Sequence, residues 1–360
     1  MVTIKEIAET VGVSIATVSR VLSNSSYPVS QDTRARILQV AQDLGYSPNL
    51  AARSLRTDQS TLIGVILDNF TSSWAPIIIR GLQDVFHRRG YFSLVVNMPW
   101  EIHSQSDVVQ NLLGHSVDGF VFVETWHTVS ERKDLLNTKP YVTVHRLFHE
   151  PDPYSVIPDD VYNSSLTIDH LTKLGHKRIA YIAGHEAYFS SEERLTGYKQ
   201  SLEKAGLSFD ESLIYRGNWS VPSGYQCTQE LIQKSELPTA IAAANDQMAI
   251  GAILAVQEHG LRVPEDIAIV GYDNDEIAQI SNPTLTTVQM PLFKMGQIAA
   301  ENLLCQIDKK PCETTEQLIK GDLFVRQSCG DPQGKDIHAS DFMREGNGAF
   351  VNRHTLKEDT

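Results

Sequence analysis

From Thr61 onward, short apolar runs alternate with amphipathic stretches, and no other feature of the chain narrows its fold so much. Leu62–Leu67, Phe92–Val96, Gly119–Val123 and Tyr141–Val144 read as strands, with a helix over Ile77–Arg89 after the first. A second round follows: helix Asn163–Leu174, strand Ile179–Ala183, helix Glu193–Ala205, strand Ala240–Ala244, helix Gln247–His259 and strand Ile267–Val270. Runs that are apolar on both faces belong to strands covered on both sides, and strands separated by helices pair in parallel. The predicted class is therefore α/β, with two doubly wound parallel sheets. Each offers a ligand edge at the carboxyl ends of its strands.

The first residues follow a different period. Thr3-Ile4-Lys5-Glu6 reads as a capping box, and Ile4, Ile7, Ala8 and Val11 share one helix face. Gly12 permits the tight turn, and Ser14 caps a second helix whose Val18 and Leu22 face the small core. Ser14, Ile15, Ala16, Thr17, Ser19 and Arg20 are left outside. That surface suits a helix-turn-helix whose second helix reaches base edges in a major groove; a plain helical hairpin with a wet outer face is the other reading. Ser30 caps a third helix over Gln31–Leu44, closed by Gly45, and Asn49 caps a short segment, Leu50–Arg56.

The segments TIKEIAETVGVSIATVSRVLS, VSQDTRARILQVAQDLGYSPN and LAARSLRT, in this order and separation, resemble the headpiece and hinge of the LacI-type repressor family. The resemblance runs to about residue 329 and implies a helix-turn-helix headpiece (1–47), a hinge (48–57) and a two-lobed effector domain (58–330) similar to periplasmic sugar-binding proteins. Its N-lobe would be 61–160 with 291–320, and its C-lobe 161–290 with 321–329. DNA contacts are implied at Thr3, Ser14, Ile15, Ala16, Thr17, Ser19 and Arg20, and in the hinge at Asn49, Ala52 and Leu55, the leucine entering a minor-groove step. The implied partners are a near-palindromic double-stranded operator, a second copy of the chain and a small effector held between the lobes. Residues 331–360 are polar and rich in Gly, Asp and His, as in a disordered tail.

Charge fits such a division of labour. The chain carries a net −13, yet residues 1–60 hold six Lys/Arg against five Asp/Glu, so the acidity lies beyond the headpiece. A weakly charged headpiece depends on groove docking and dimerisation more than on bulk phosphate attraction. Cys227, Cys305, Cys312 and Cys329 form no CxxC pair and no cluster with histidine, so neither a metal nor a disulfide framework is expected. There is no membrane-length apolar run and no signal-peptide pattern at the N-terminus. A cytoplasmic, nucleoid-associated protein is expected, with no membrane partner and no cofactor.

Candidate ligand chemistry gathers at strand ends. Arg194 follows the strand ending near Gly184, Trp219 follows Gly217-Asn218, Asn245-Asp246 follow the strand 240–244, and Asp273 follows the strand 267–270. A guanidinium, a carboxylate and an amide hold vicinal hydroxyls in fixed forks, and an indole face stacks on a sugar or a base. The family resemblance implies that Arg194, Trp219, Asn245 and Asp273 line the effector pocket and that Trp74 joins from the N-lobe. Plainer readings stand beside these: Arg194 paired with nearby acids, Asp246 as a helix N-cap, Trp219 as core, Trp74 as a dimer anchor beside Ile77, Ile78, Ile79 and Leu82. The chain departs from the family at Ser23 and Ser25 after the recognition helix, and at Ser72, Ser73 and Ala75 in the N-lobe wall, so no known effector carries over.

No GxxxxGK[ST], GxSxG, HExxH or strand-linked GxGxxG motif is present, so an enzyme is not expected. A transport-type solute-binding protein would lack the helix-turn-helix. The reading is a ligand-responsive repressor of carbohydrate uptake or catabolism genes with a sugar effector; a nucleoside or purine effector on the same architecture is the alternative.

Overall fold

In the N-terminal unit, helices α1 (Ile4–Val11), α2 (Ile15–Leu22) and α3 (Gln31–Asp43) begin and end where their caps dictate. The Thr3–Glu6 capping box is present, Gly12 closes α1 at φ 76°, and the Ser14 hydroxyl accepts from the Thr17 N–H at 3.1 Å. Ile7, Ala8, Val11, Val18, Val21, Ile37 and Ala41 form the core. Leu22, half-buried, packs against this core as read from sequence, and Val21, three residues after Val18, is buried on the same side of the helix as well.

The structure, a computed structural model, describes residues 2–22, 27–46, 59–98, 103–125, 139–145, 152–311 and 316–331. The hinge expected at 48–57, with Asn49, Ala52 and Leu55, lies outside the described residues, as do Ser23, Ser25 and the tail from 332. A second compact unit begins at Thr61. Among the described residues, no helix is long and apolar enough to cross a membrane.

The second unit contains two six-stranded sheets. The first holds β1 (Leu62–Leu67), β2 (Phe92–Asn97), β3 (Gly119–Val123), β4 (Tyr141–Val144), β5 (Ser155–Pro158) and β11 (Gln317–Ile319), ordered β11-β5-β4-β3-β1-β2 and parallel throughout. The second holds β6 (Ile179–Ala183), β7 (Ile214–Arg216), β8 (Ala240–Ala243), β9 (Ala268–Asp273), β10 (Thr286–Gln289) and β12 (Asp322–Phe324), ordered β12-β10-β9-β8-β6-β7. Only its edge strand β12 runs antiparallel, against β10. β3, β5, β6, β8 and β9 are buried along their whole lengths, as strands covered on both faces must be.

Helices cover both sheets: α4 (Ala75–Arg88), α5 (His103–Gly114) and α11 (Leu292–Ile307) in the first lobe; α6 (Asp160–Lys173), α7 (Phe189–Lys204), α8 (Val221–Ile232), α9 (Asp246–Glu258) and α10 (Glu276–Ile280) in the second. The chain changes lobes between β5 and α6, between β10 and α11, and between β11 and β12. These crossings touch one another. The Asp159 N–H donates to Ile319 O at 3.0 Å, and the Gly321 N–H donates to Asn163 Oδ1 at 2.7 Å. α4 and α11 meet backbone to backbone, since a Cβ at Gly296 would lie 2.3 Å from Ile78 O and one at Gly81 would lie 2.2 Å from Phe293 O. Gly296→Val should therefore force the helices apart and destabilise the lobe by about 1–3 kcal/mol or more, read as a lower urea midpoint. An unchanged midpoint would show that the crossing is loose.

Candidate functional site

The carboxyl ends of both sheets open on one cleft, a cavity of about 250 Å³. From the first lobe come Asn69 after β1, Ser72, Ser73 and Trp74 leading into α4, Thr125 after β3 and His145 after β4. From the second come Tyr188, Ser190 and Arg194 at the start of α7, Trp219 after β7, Asn245 and Gln247 at the start of α9, and Asp273 and Asp275 at the end of β9. The five candidates Trp74, Arg194, Trp219, Asn245 and Asp273 thus meet around one space. Ser72 and Ser73 were marked in the sequence only as a departure in the N-lobe wall; Asn69, Thr125, His145, Tyr188, Ser190, Gln247 and Asp275 were missed, because single polar or aromatic residues are common in loops and their one signal was position past a strand's carboxyl end or at a helix start.

Each wall is locally built. Ser72 Oγ accepts from the Trp74 N–H at 3.1 Å, and the Trp74 ring meets His145 edge to face at 5.3 Å. Across the cleft, the Trp219 ring lies on Gly184, where a Cβ would fall 2.0 Å from it. Trp219 holds φ 70°, Asp273 φ 119° and His145 φ 59°, conformations that side-chain-bearing residues rarely adopt. Such strain costs of order 1–3 kcal/mol per residue and persists only where surrounding contacts enforce it. Asn245 supplies one of them: its Nδ2 donates to Trp219 O at 3.0 Å while its Oδ1 accepts from Met248 N and caps α9. This corrects the expectation that Asp246 is the cap; Asp246 sits one residue inside the helix and is fully buried.

Arg194 differs most from its sequence reading as a ligand clamp, because its side chain is only 1% exposed. Its Nε donates to Asp160 Oδ1 at 2.8 Å and its Nη1 to Ala244 O at 2.6 Å, with Asp273 Oδ1 at 3.6 Å and Met290 Sδ 3.7 Å from Nη2. Its guanidinium also stacks 3.7 Å from the Tyr272 ring centroid. Burial works to strip its proton, but Asp160, Tyr272 and Asp273 outweigh that and raise its pKa above the ordinary arginine value.

The carboxylates around it are strained electrostatically. Burial raises Asp273 well above the usual carboxylate range, Arg194 opposes the shift, and Asp246, Asp275 and Asp160 reinforce it. Asp246 is pushed up to about 7, chiefly by burial, although Thr287 Oγ1 and the Asp275 N–H both donate to it. Burial also raises Asp275, and it raises Asp68, whose carboxylate accepts from Thr125. On the cavity wall, the buried Asp273 Oδ1 and Trp219 Nε1 have no hydrogen-bond partner among the described residues.

Residues 3–49 match the bacterial regulatory proteins of the lacI family, and residues 168–329 match a periplasmic binding protein-like domain. The HTH-type transcriptional repressor PurR of Vibrio atlanticus is 32% identical over 318 residues, 87% of this chain and 94% of its own. The chain belongs to the lacI family. Catabolite control protein A of Priestia megaterium is 30% identical over 329 residues, 91% of this chain and 99% of its own. Among solved structures, the lac repressor dimer bound to operator and the anti-inducer ONPF superposes with a TM-score of 0.76 at 30% identity, covering 91% of this chain and 99% of the other. The CelR–cellobiose complex superposes at 0.66 and 28% identity, covering 91% and 100%. As a LacI-family member the protein is a DNA-binding transcriptional repressor, and its second unit has the fold of the effector-binding members.

Asp246 gives the site a pH signature. Its folded pKa of about 7 stands above the ordinary aspartate value of 3.8, so the native state holds the extra proton between them. The stability this contributes is complete below about pH 4 and is lost as pH rises through 7. Asp246→Asn should therefore show a smaller fall in Tm from pH 5 to pH 8 than the wild type. Equal slopes would mean that Asp246 is ionised throughout.

Proposed function

We propose that this repressor binds a near-palindromic operator as a homodimer and changes its hold when a neutral sugar occupies the cleft. One observation carries the effector reading. Trp74 of one lobe and Trp219, Asn245 and Asp273 of the other bound a single cavity in which, among the described residues, Asp273 Oδ1 lacks a donor and Trp219 Nε1 lacks an acceptor. A hydroxyl meets either need, and a ring bearing several meets both. A ligand touching both lobes binds the closed form differently from the open one, and only such a difference shifts a conformational equilibrium. Asp273 and Asp275 line the space against one buried cation, Arg194, so a phosphorylated sugar is disfavoured. The relation to the CelR–cellobiose complex supports this reading. A purine is the second reading, favoured by the PurR relatives and by the fit of an aromatic platform and a carboxylate to a base.

On the DNA side, Ser14, Ile15, Ala16 and Arg20 are exposed on the headpiece and Thr17 and Ser19 partly so. Thr3 opens α1, a helix N-terminus suited to a phosphate. The Arg20 guanidinium stacks 4.0 Å from the Tyr27 ring centroid, which orients it. Dimerisation draws support from Leu254 on α9 and Ile280 on α10, 48% and 64% exposed on helices that touch.

Arg20→Ala should lose about 1–3 kcal/mol of discrimination at one base position of the operator selected from random-sequence duplex. Equal losses on selected and random DNA at one salt concentration would make Arg20 a phosphate contact. Leu254→Glu with Ile280→Glu should sediment as a monomer and lose full-operator affinity.

For the effector, a thermal-shift series with neutral sugars, their 6-phosphates and purines should stabilise the wild type only with neutral sugars. The gain is about 2.7 kcal/mol at a hundredfold excess over Kd. Asp273→Asn should abolish the shift. Stabilisation by purines alone would establish the second reading instead.

A further inference from the structure

Helix α2 carries one charged side chain, Arg20, in its last turn. At the start of the helix the Ser14 and Thr17 hydroxyls lie 2.8 Å apart and bond to each other, while Ser14 Oγ also accepts from the Thr17 N–H. Ile15 and Ala16 are exposed and have no polar side-chain atom, and Ser19 is partly buried. Directional reading from this face therefore falls chiefly to Arg20. It stands about 7.5 Å along the helix axis from Ile15, at 1.5 Å per residue, so it must use its full length. A bidentate contact further requires that the guanidinium plane meet the base edge squarely.

Tyr27 supplies the aim that a long side chain lacks. Arg20 Cζ lies over its ring, 4.0 Å from the centroid. An aromatic face attracts the cation, yet it takes up no pair of N–H donors as a carboxylate would. A carboxylate there would compete with guanine O6 and N7 for the same fork; the ring does not.

The ring is held in place by the chain that follows it. Pro28 confines Tyr27 to extended backbone. Val29 packs against the headpiece core, and Ser30 caps α3, its Oγ accepting from the Thr33 N–H at 3.3 Å. Tyr27 itself is 53% exposed and outside that core, so shortening its side chain spares the headpiece fold.

We propose that Tyr27 is a positioning residue for sequence recognition, holding the Arg20 guanidinium in the orientation that reads one guanine. This rests on Arg20 as a base contact. Orientation matters only where the fork meets its base; on random DNA a guanidinium can meet a phosphate in many poses. Loss of the ring therefore weakens the operator complex and spares the non-specific one.

The full chain first selects its operator from random-sequence duplex. Competition at one salt concentration then measures that operator, its single-base variants and random duplex. Tyr27→Ala should cut the operator's advantage over random duplex about two- to fivefold. The loss should fall at the base pair whose preference Arg20→Ala relaxes, with Tm unchanged. Tyr27→Phe, which keeps the ring and discards the hydroxyl, should match the wild type, and the double variant should lose no more than Arg20→Ala alone. Undiminished or increased discrimination in Tyr27→Ala, equal losses on operator and random duplex, or additive losses in the double variant overturns the proposal and leaves Arg20 as a base contact. A Tyr27→Phe variant as weak as Tyr27→Ala also overturns it, and makes the hydroxyl a DNA contact. If Arg20→Ala alters no base preference, the base reading of Arg20 falls, and this proposal with it.

Discussion

The second unit is organised around one buried guanidinium. Arg194 reaches from the start of α7 to Asp160 at the first lobe crossing, to Met290 at the second, to the carbonyl at the end of β8 and to the rim of Asp273. An ion taken out of water must be met by partners at nearly every donor, and here each partner comes from a different segment. Removing one member of such a cluster leaves its counterpart buried and uncompensated, at a cost of about 3–5 kcal/mol. The cation therefore positions the pocket floor, and truncating it perturbs the fold along with any ligand contact.

The same cluster joins the cavity to the crossings. Tyr272 packs with Val288 and Met290 against the core of the first lobe, and its hydroxyl donates to Asp160 Oδ1 at 2.7 Å. Asp273, the next residue, faces the cleft in a strained backbone conformation. A ligand that draws charge onto Asp273 Oδ1 thus acts within two residues of the contacts that hold the lobes together. Four acids, Asp160, Asp246, Asp273 and Asp275, stand against Arg194 and Arg326 in this region. Full ionisation would leave excess negative charge in a low dielectric, and burial raises Asp246, Asp273 and Asp275, with repulsion from neighbouring acids adding to the shift at Asp246 and Asp273.

Much of this was legible along the chain. The capping box at Thr3–Glu6, the turn at Gly12 and the exposed face of α2 follow from local chemistry, and local chemistry is written in consecutive residues. The apolar strands β1, β3 and β6 and the apolar first half of β9 announced themselves for the same reason. The short strands β5, β7, β10, β11 and β12 did not, nor did α8 and α11, because three or four residues carry too little periodicity and a helix buried on several sides has a blurred stripe. The start of α7 was placed at Glu193 and falls at Phe189, since Phe189-Ser190-Ser191 carries no strong start signal.

By itself, the sequence determined the two kinds of unit, the parallel α/β class, the helix-turn-helix and the family, and it marked Trp74, Arg194, Trp219, Asn245 and Asp273 by their residue types at strand ends. Only the tertiary structure decided what those side chains do to one another. It made Asn245 the cap where Asp246 was expected, enclosed Arg194 among protein partners, seated Trp219 on Gly184, and brought Thr125, His145 and Tyr188 to the same space. Those outcomes depend on which segments become neighbours across the cleft and on which charges lose their water. Neither is fixed until two sheets, distant along the chain, have closed against each other.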